Sequence, residues 1–494
     1  MHSLGTLKEI LHECGYTRRA LHELGAFRGQ PIDRQQAIAA TSEPTSLNTL
    51  IRLFFLNVPV EASRVEAALA PFPLTELRSR GILIAVGEMQ VQSAAAIVPI
   101  GNLLTLRDFE PGETGHALKP DHVLGVGMAT SMLSTLTVRY ESARTLDIGT
   151  GQGFHAMVAS EHSGKVIATD VNPRALDFAR WSIELNGITN IELREGSLFE
   201  PVKDEDPFDL IVSNPPFIIS PPHDLVCLGG FAQGDSLVEQ LVRETPTHLA
   251  EGGFACIACN WHHRADDDWA SRPMAWLASS GCDAWLIETR QETAEEYIEQ
   301  WMHEAQLAGA GASPISREAW QKSFDQLGAR AVSLGVLILR KRTTTTGRNW
   351  FRTNSLPMES CNGEASKQIL RIFDNQTILQ QCNDHAELAD LPLGLSEDHV
   401  LTQERHGTKG GGWSIERSTL RQTVGFDFEI GLDSHAAELL GFLDGMTPSR
   451  ETRRQAVGQV PCAPLVAWLP RSRQGRLNAI APDRPTQQLV TVAW

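Results

Sequence analysis

The feature that most constrains the fold is a regular alternation of strand and helix patterns between residues 115 and 342. Seven short, apolar runs in this region indicate buried strands, and helical patterns separate most of them. The strands are predicted at 143–149, 165–172, 191–197, 208–214, 252–260, 282–289 and 331–342. Strands that alternate with helices are typical of a parallel sheet, so we predict an α/β domain here.

The regions on either side have different patterns and predict two further domains. Residues 1–114 begin with amphipathic helices, followed by three more helices and a hairpin, which is a winged-helix-like arrangement. Arginines in this domain are offset by glutamates, so we favour a packing or substrate-docking role over DNA binding. Beyond a predicted linker at 343–347, residues 348–494 are expected to form an accessory α+β domain, with a small helical unit at 435–457.

The net charge, the apolar runs and the cysteines of the chain disfavour several classes of function. The chain has 494 residues, and its formal net charge of -17 argues against wide contact with nucleic-acid phosphates. No apolar run reaches the roughly 18 residues that a membrane span needs. The eight cysteines lack the spacing of a disulfide framework, which fits a reducing cytoplasm.

Two stretches contain residue types that bind metals. Cys256 and Cys259 have C-x-x-C spacing, but they lie in a predicted strand, where residues three apart point to opposite faces. His262 and His263 stand beside three aspartates, but adjacent loop residues rarely share a metal ion, and we favour the solvated start of a helix. We therefore predict no metal site.

A glycine-rich turn follows the first strand of the α/β domain. In "LDIGTGQGFHA" the glycines let the backbone pass close to a ligand, and the following helix N-terminus favours an anionic group. The dinucleotide pattern G-x-G-x-x-G fails, because Phe154 stands where it needs glycine. Asp170 ends the second strand, where a carboxylate can hold ribose hydroxyls. The turn and this acid together favour a ligand site over a structural loop.

Four ordered segments resemble a known family. "LDIGTGQG", "ATDVNPRALDFARWSIELNG", "GSLFEPV" and "FDLIVSNPPF" are similar to successive motifs of class I S-adenosylmethionine-dependent methyltransferases. The likeness is greatest to the small-domain group, which includes the release-factor glutamine methyltransferases and enzymes that methylate base amines of rRNA. It covers about residues 115 to 342. The resemblance implies a Rossmann-like, seven-stranded sheet whose last strand is antiparallel, and S-adenosyl-L-methionine as cofactor.

The resemblance also implies which residues bind the cofactor. Asp147 and the turn formed by Gly149, Thr150, Gly151 and Gly153 would contact its methionine part. Asp170 would contact the ribose, with Asn172 close by, and Asn214 would lie beside the methyl group. Ser197 stands where the family usually has an acid near the adenine, which predicts a weaker adenine contact. Glu195 is a candidate to compensate.

The segment Asn214-Pro215-Pro216-Phe217 stops the fourth strand, because a proline cannot donate to the ladder. An amide nitrogen is a poor nucleophile, since its lone pair is delocalised. The Asn214 side-chain oxygen and the Pro215 carbonyl can each accept one N–H of such a group. Phe217 offers a face for stacking, and the prolines hold the loop rigid. We therefore predict a catalytic role for all four residues.

The segment before the first strand, "PDHVLGVGMATSML", leaves two interpretations open. It contains Asp121, His122, Gly125 and Gly127. In the related enzymes the corresponding segment closes over the cofactor, which makes these residues candidates for a lid. A plain entry into a helix accounts for the same pattern.

Our first hypothesis for the function is methylation of a protein glutamine side chain, with a translation factor as a candidate partner. The sequence around Asn214 is more similar to the glutamine methyltransferases than to the rRNA enzymes, although Tyr is commoner there than Phe217. The alternative is methylation of an adenine or guanine amine in RNA or DNA, with the base extruded onto Phe217. A non-catalytic binding protein on a methyltransferase scaffold is a third interpretation, which the intact Asn214 and glycine turn disfavour.

Overall fold

The computed structural model describes residues 4–27, 32–115, 118–228, 233–265, 267–307, 315–342, 349–382, 387, 390–395, 399–433, 437, 440 and 443–448. Contacts between residues divide the chain into two compact units. The first comprises Met1–Thr343 and Phe351–Ser355, and the second comprises Thr344–Trp350 and Leu356–Trp494. Among the described residues, no helix combines the length and the apolar character needed to cross a membrane.

The first unit begins with six short helices and a small sheet. The helices are α1 (Leu4–Glu13), α2 (Arg18–Glu23), α3 (Arg34–Ala40), α4 (Ser46–Phe54), α5 (Ala62–Leu69) and α6 (Leu74–Ser79). The strands are β1 (Val60–Glu61), β2 (Leu83–Val86) and β3 (Gln90–Ser93), in the order β1-β3-β2. The three helices and the hairpin that the sequence predicts between residues 46 and 93 are present as α4, α5, α6 and the pair β2 and β3. Gly87 turns the hairpin with a φ of 63°, a left-handed value that favours glycine.

The large sheet of the first unit forms its centre. Before it lie β4 (Ala96–Ile100), β5 (Leu103–Arg107), α7 (Pro111–Thr114) and α8 (Met128–Leu136). The sheet contains β6 (Ser142–Ile148), β7 (Ser163–Asp170), β8 (Ile191–Glu195), β9 (Phe208–Ser213), β10 (Leu249–Arg264), β11 (Cys282–Thr293), β12 (Ala329–Lys341) and β13 (Phe351–Ser355). Its helices are α9 (Phe154–Ser160), α10 (Pro173–Leu185), α11 (Ser236–His248), α12 (Ser271–Trp276), α13 (Ala294–Leu307) and α14 (Arg317–Leu327).

The order of strands across this sheet is β13-β11-β12-β10-β9-β6-β7-β8. The run from β10 to β8 is parallel throughout, whereas β12 is antiparallel to both β10 and β11. The Rossmann-like α/β sheet and its antiparallel last strand are therefore confirmed, with all seven predicted strands. The eighth strand, β13, pairs in parallel with β11 and was not predicted, because "FRTNS" is short and polar.

The N-terminal helices pack on the α/β part through a shared apolar core. One buried cluster joins residues of the N-terminal helices to Ala175, Phe178 and Leu185 of α10. At the edge of this contact, the Arg80 guanidinium donates to both carboxylate oxygens of Glu184, at 2.9 Å each. The arginine is thus used in packing, in agreement with the role that the sequence favours.

Two histidines lie in an environment that differs from the prediction. We expected His262 and His263 at a solvated helix start, but both are buried near the end of β10. His262 Nδ1 lies 3.0 Å from Asp235 Oδ2, and His263 Nε2 lies 2.8 Å from the Ser333 hydroxyl. The strand extends this far because β12 pairs with it as far as Arg264. This long-range pairing leaves no local signal in the sequence.

The pair of cysteines in β10 has two separate surroundings. The buried Cys256 thiol lies 4.0 Å from the carbonyl oxygen of Leu136, and the buried Cys259 thiol lies 3.8 Å from that of Gly335. Burial raises the pKa of both thiols, so both stay protonated near neutral pH. Within the described ranges, no group of three or more His, Cys, Asp or Glu side chains is placed to hold a metal ion.

The second unit combines one long helix with short strands. These elements are α15 (Ala365–Gln381), β14 (Pro392–Gly394), β15 (His399–Gly407), β16 (Trp413–Gln422), β17 (Phe428–Leu432) and β18 (Asp444–Pro448). β15, β16 and β17 form an antiparallel sheet, and β14 pairs with β18. The predicted linker at 343–347 and most of the predicted helical unit at 435–457 lie outside the described residues. Within that stretch Asp444–Pro448 is a strand, which corrects the helical prediction there.

Candidate active site

The carboxyl ends of β6, β7, β8 and β9 meet at one edge of the large sheet, because these strands are parallel neighbours. A cavity of about 940 Å³ lies at this edge, within the usual size range for a ligand site. The predicted site residues that line it are Gly149, Thr150, Gly151, Asp170, Asn172, Ser197, Asn214, Pro215, Pro216 and Phe217. Asp147 and Gly153 lie behind this lining.

The glycine turn after β6 has a backbone that only glycine adopts readily. Gly149, Gly151 and Gly153 have φ values of 69°, 55° and 88°, all in the left-handed region. A Cβ at Gly149 would lie 3.9 Å from Pro215 Cα, so the turn passes close to the loop that follows β9. A Cβ at Gly153 would lie 3.2 Å from Ala179 Cβ, so this glycine serves the packing of α9 on α10.

Asp147 is buried beneath the turn. Its Oδ2 accepts from the Thr150 hydroxyl at 2.6 Å and from the Ala156 N–H at 3.0 Å. Its Oδ1 is buried and has no hydrogen-bond partner. Burial raises the pKa of Asp147 to about 7, and the nearby charge of Asp170 adds to the shift.

Asp170 connects the end of β7 to the glycine turn. Its Oδ2 accepts from the Gly151 N–H at 2.8 Å, and its Oδ1 accepts from the Asn172 N–H at 2.9 Å. Burial raises the pKa of this carboxyl. Asn172 caps α10, because its Oδ1 accepts from the Arg174 N–H at 3.0 Å. The carboxylate thus fixes the geometry of the turn.

Ser197 lines the cavity beyond the end of β8 and is exposed. It follows Gly196, whose φ is 149° and where a Cβ would lie 2.5 Å from Pro201 Cγ. The glycine therefore shapes the loop that presents the serine. Glu195 is also exposed, but it is not part of the lining, so its predicted compensating contact has no support in this geometry.

The Asn-Pro-Pro-Phe loop begins where β9 ends at Ser213. The Asn214 Nδ2 donates to the Thr130 hydroxyl at 3.1 Å, whereas its Oδ1 is buried without a hydrogen-bond partner. Pro215 is buried, and the Phe217 ring is half-buried against the core of the sheet. The four residues of this loop face the same cavity as the glycine turn.

The segment that leads into α8 lines the cavity through His122, Gly125 and Gly127. It is tied to the start of α10, because Asn172 Nδ2 donates to the Asp121 carbonyl at 2.9 Å. A second tie is Asp108, whose Oδ2 accepts from the Val123 N–H at 2.8 Å. The segment therefore lines part of the cavity and continues into α8, and the lid stays a prediction beside the plain helix entry.

Three further residues of the site escaped the sequence prediction. Thr130 holds Asn214, as described above. Tyr297, in α13, accepts at its hydroxyl from the Ile219 N–H and from Asn260 Nδ2, both at 3.2 Å. Asn260, in β10, had a recognisable signal, because it is a polar residue at the end of the apolar run "FACIAC". Tyr297 had none, since a helical pattern does not show which face meets a distant loop.

Comparisons with known proteins agree with this geometry. Residues 125–268 match a family described as methyltransferase small domain, and residues 14–94 match a domain of unknown function, DUF7059. A release factor glutamine methyltransferase of Xylella fastidiosa strain 9a5c is 30% identical over 226 residues, which cover 42% of this chain and 74% of the relative. A ribosomal RNA small subunit methyltransferase C of Serratia proteamaculans strain 568 is 32% identical over 138 residues, or 28% of this chain and 36% of the relative.

A solved rRNA methylase from Streptococcus thermophilus is 15% identical, with a TM-score of 0.27, and covers 46% of this chain and 99% of its own. The family match at 125–268 contains the glycine turn, the acidic end of β7 and the Asn-Pro-Pro-Phe loop. The chain therefore belongs to the small-domain family of class I S-adenosylmethionine-dependent methyltransferases, and it is an enzyme of that class with S-adenosyl-L-methionine as its cofactor.

Proposed function

We propose that the enzyme methylates the side-chain nitrogen of a glutamine in a protein. The observation that carries this proposal is the free acceptor on Asn214. Its Nδ2 donates to Thr130, and its buried Oδ1 has no hydrogen-bond partner, in a residue that lines the cavity. A buried acceptor of this kind is costly unless a ligand supplies an N–H. The name of the Xylella fastidiosa relative, release factor glutamine methyltransferase, supports the same substrate class.

The cofactor is proposed to occupy the part of the cavity that lies at the ends of β6, β7 and β8. The residues there fit it, because Asp170 and Ser197 line the cavity with polar side chains and the turn at Gly149 has no side chain to block a ligand. Asp147 supports the turn from behind the lining through its bond with Thr150. When bound, S-adenosyl-L-methionine supplies an electrophilic methyl group. We assign its binding to Asp147, Gly149, Thr150, Gly151, Gly153, Asp170, Asn172, Ser197 and Asn214. In this assignment Gly153 and Asn172 act by holding the turn and the start of α10.

The protein's task in the reaction is to make an amide nitrogen reactive. Asn214 Oδ1 accepts one N–H of the substrate amide, and the Pro215 carbonyl accepts the other. Two such bonds localise the lone pair on nitrogen and fix its direction, which is catalysis by positioning and preorganised electrostatics. The Phe217 ring offers a flat face to the planar amide. Pro216 has a fixed φ and no N–H, which keeps the loop in one conformation.

A base amine of RNA is the second candidate. The relative named ribosomal RNA small subunit methyltransferase C favours it, and an extruded base has the same planar NH₂ group that the loop would hold. The formal net charge of -17 favours the protein substrate, because binding to nucleic acid draws its affinity from Lys and Arg. We further propose a translation factor as partner and the cytoplasm as location, where the free cysteines fit a reducing environment.

The test is transfer of a labelled methyl group from the cofactor to a cell extract. We expect the label to be released by protease and retained after nuclease, and to appear as N-methylglutamine after digestion of the protein. The Asn214→Ala enzyme, added in the same amount, is the control and should leave the extract unlabelled. Label that nuclease removes would contradict the glutamine proposal and favour the base amine.

A further inference from the structure

The wall of the cavity beyond Phe217 comes from parts of the chain outside the cofactor loops. The end of β11 contributes Arg290 and Glu292, and β10 contributes Asn260. The inserted helix α13 contributes Tyr297, Gln300, Trp301 and Glu304. We call these seven residues the acceptor wall.

The acceptor wall has hydrogen-bond acceptors that lack donors. Asn260 is only 4% exposed. Its Nδ2 donates to the Tyr297 hydroxyl, whereas its Oδ1 has no hydrogen-bond partner. Gln300 repeats the pattern, since its Nε2 donates to Glu304 at 2.9 Å while its buried Oε1 has no partner. With Asn214 Oδ1, three buried amide oxygens in residues that line this part of the cavity have no hydrogen-bond donor. The wall also has one buried donor without a partner, Trp301 Nε1, so the three oxygens favour a group that offers more N–H donors than acceptors.

The charged side chains of the acceptor wall indicate the charge of the ligand. Glu292 and Glu304 are both in the acceptor wall. Among the described residues that line the cavity, Arg290 is the only Lys or Arg, and its Nη2 already pairs with Glu292 Oε1 at 2.6 Å. The wall thus keeps an unbalanced carboxylate on Glu304, which would repel a phosphate and attract a cation. Trp301, three residues earlier on the same helix, adds an aromatic ring to the wall that can contribute to binding a cation.

We propose that the acceptor wall selects a glutamine that stands beside a lysine or arginine in the substrate chain. This inference rests on the proposed methylation of protein glutamine. The three amide oxygens would take N–H groups of the substrate chain and its acceptor amide, and Glu304 would take the neighbouring cationic side chain. A base of a nucleic acid also offers N–H donors, but its phosphates are anionic and would be repelled by the carboxylate of Glu304.

The test uses short peptides that contain one glutamine and differ only in the residue beside it, which is Lys, Ser or Glu. We expect kcat/KM of the wild-type enzyme to be about tenfold higher for the Lys peptide than for the Glu peptide, because charge complementarity governs such discrimination. The Glu304→Gln variant should remove most of this preference, and Glu304→Lys should reverse it. Glu299→Gln is the matched control, since Glu299 is on the same helix but pairs with Arg317 and is not part of the lining.

Binding provides a second measurement. The same peptides are titrated into wild-type protein that holds S-adenosylhomocysteine, at low and high salt. We expect the Lys peptide to bind most tightly and to lose its advantage at high salt, because exposed charges are screened. Equal affinities for the three peptides, or a preference that persists in Glu304→Lys, would overturn the inference.

The two proposals fail in different ways. If extract protein is labelled on glutamine but the peptides show no preference by charge, the proposed function stands and the acceptor wall does not select a cation. If the label is found in nucleic acid, both proposals are wrong.

Discussion

The cavity has two halves that differ in whether their polar groups have hydrogen-bond partners. The cofactor half lies at the ends of β6, β7 and β8, and the acceptor half comprises the Asn-Pro-Pro-Phe loop and the acceptor wall. On the cofactor side, both oxygens of Asp170 accept backbone N–H groups, and both ends of the Asn172 amide are engaged. On the acceptor side, Asn214, Asn260 and Gln300 each have an amide oxygen without a donor. Asp170 and Asn172 are therefore preorganised by their own hydrogen bonds, although Asp147 Oδ1 and Thr169 Oγ1 near them lack partners. The three amide oxygens of the second half still require a donor.

This difference follows from where the residues come in the chain. The cofactor half consists of turns that directly follow β6, β7 and β8, so short segments carry its residues, and parallel pairing of these strands brings Asp170 to the Gly151 N–H. The acceptor half combines the loop after β9 with Thr130 of α8, Asn260 of β10 and Tyr297 of α13. A substitution in the cofactor half should therefore mainly lower cofactor affinity, and a substitution in the acceptor half should mainly lower kcat.

The largest effect is expected for Asn214→Ala. This change removes the side-chain oxygen that we propose as an acceptor for the substrate N–H. Loss of one such preorganised group typically lowers kcat by about 10²- to 10³-fold. The affinity for S-adenosyl-L-methionine should fall much less than kcat, because Asn214 is one of nine residues assigned to the cofactor and the turn at Gly149 to Gly153 stays intact. Steady-state kinetics and calorimetric titration of the cofactor measure the two effects separately.

Asp170→Ala is the matching change on the cofactor side. It removes a carboxylate that accepts from the Gly151 N–H of the turn and from the Asn172 N–H, so cofactor affinity should fall by about 10- to 100-fold. With saturating cofactor, kcat should recover most of its wild-type value. If Asn214→Ala kept the wild-type rate, or if both variants lost cofactor binding equally, the division of the cavity into two halves would be wrong.

Asp147, on the cofactor side, predicts a pH dependence of stability. Burial raises its pKa from the usual 3.8 to about 7, so the folded chain holds a proton that the unfolded chain releases above pH 4. The free energy of unfolding should therefore decrease as the pH rises from about 4 to about 7, by on the order of a few kcal/mol. Above this window the contribution of Asp147 should be constant.

The Asp147→Asn protein provides the reference for this prediction, because a neutral amide keeps the size of the side chain but does not titrate. Denaturant unfolding of both proteins without cofactor, at several pH values, gives the difference directly. The curves should diverge between about pH 4 and pH 7, with the wild type losing stability relative to the variant. Parallel curves across this range would show that the Asp147 carboxyl ionises at its ordinary pKa.

The cofactor half could be predicted from the sequence because its signals are local. A glycine turn after a strand, Asp170 at the end of the next strand and the Asn214 loop after a third strand are each visible in about ten residues. Parallel pairing then brings these strand ends to one edge, so topology alone predicts that they meet. The seven strands could be predicted for the same reason, because each is a short apolar run that is visible locally in the sequence.

The acceptor half could not be predicted in this way, because it depends on register and on long-range packing. Whether Asn260 faces the cavity depends on how β10 pairs with β9 and β12, and the position of Tyr297 depends on how α13 folds back over the sheet. The burial of His262 was missed for the same reason, whereas β13 was missed because its sequence is short and polar. Local patterns indicate that an element exists, but they do not show which distant residues it meets.

The smallest effect is expected for Tyr297→Phe, which tests whether α13 supports the loop after β9. The change removes an oxygen that accepts from the Ile219 N–H and from Asn260 Nδ2. Two buried donors would lose their acceptor, so the free energy of unfolding should fall by about 1–3 kcal/mol. Because Ile219 follows the Asn-Pro-Pro-Phe loop, we also expect kcat to fall about fivefold through looser positioning of the substrate amide.

Tyr140→Phe is the matched control for this last effect. The Tyr140 hydroxyl donates to the Asp209 carbonyl, at the opposite end of β9 from the cavity. Its loss should lower stability by about 1 kcal/mol and leave kcat unchanged, because it does not touch the loop. A fall in kcat for Tyr297→Phe alone would show that α13 positions the acceptor half. If the two variants had the same kcat, Tyr297 would contribute to stability only, and the acceptor half would rest on Asn214 and its loop.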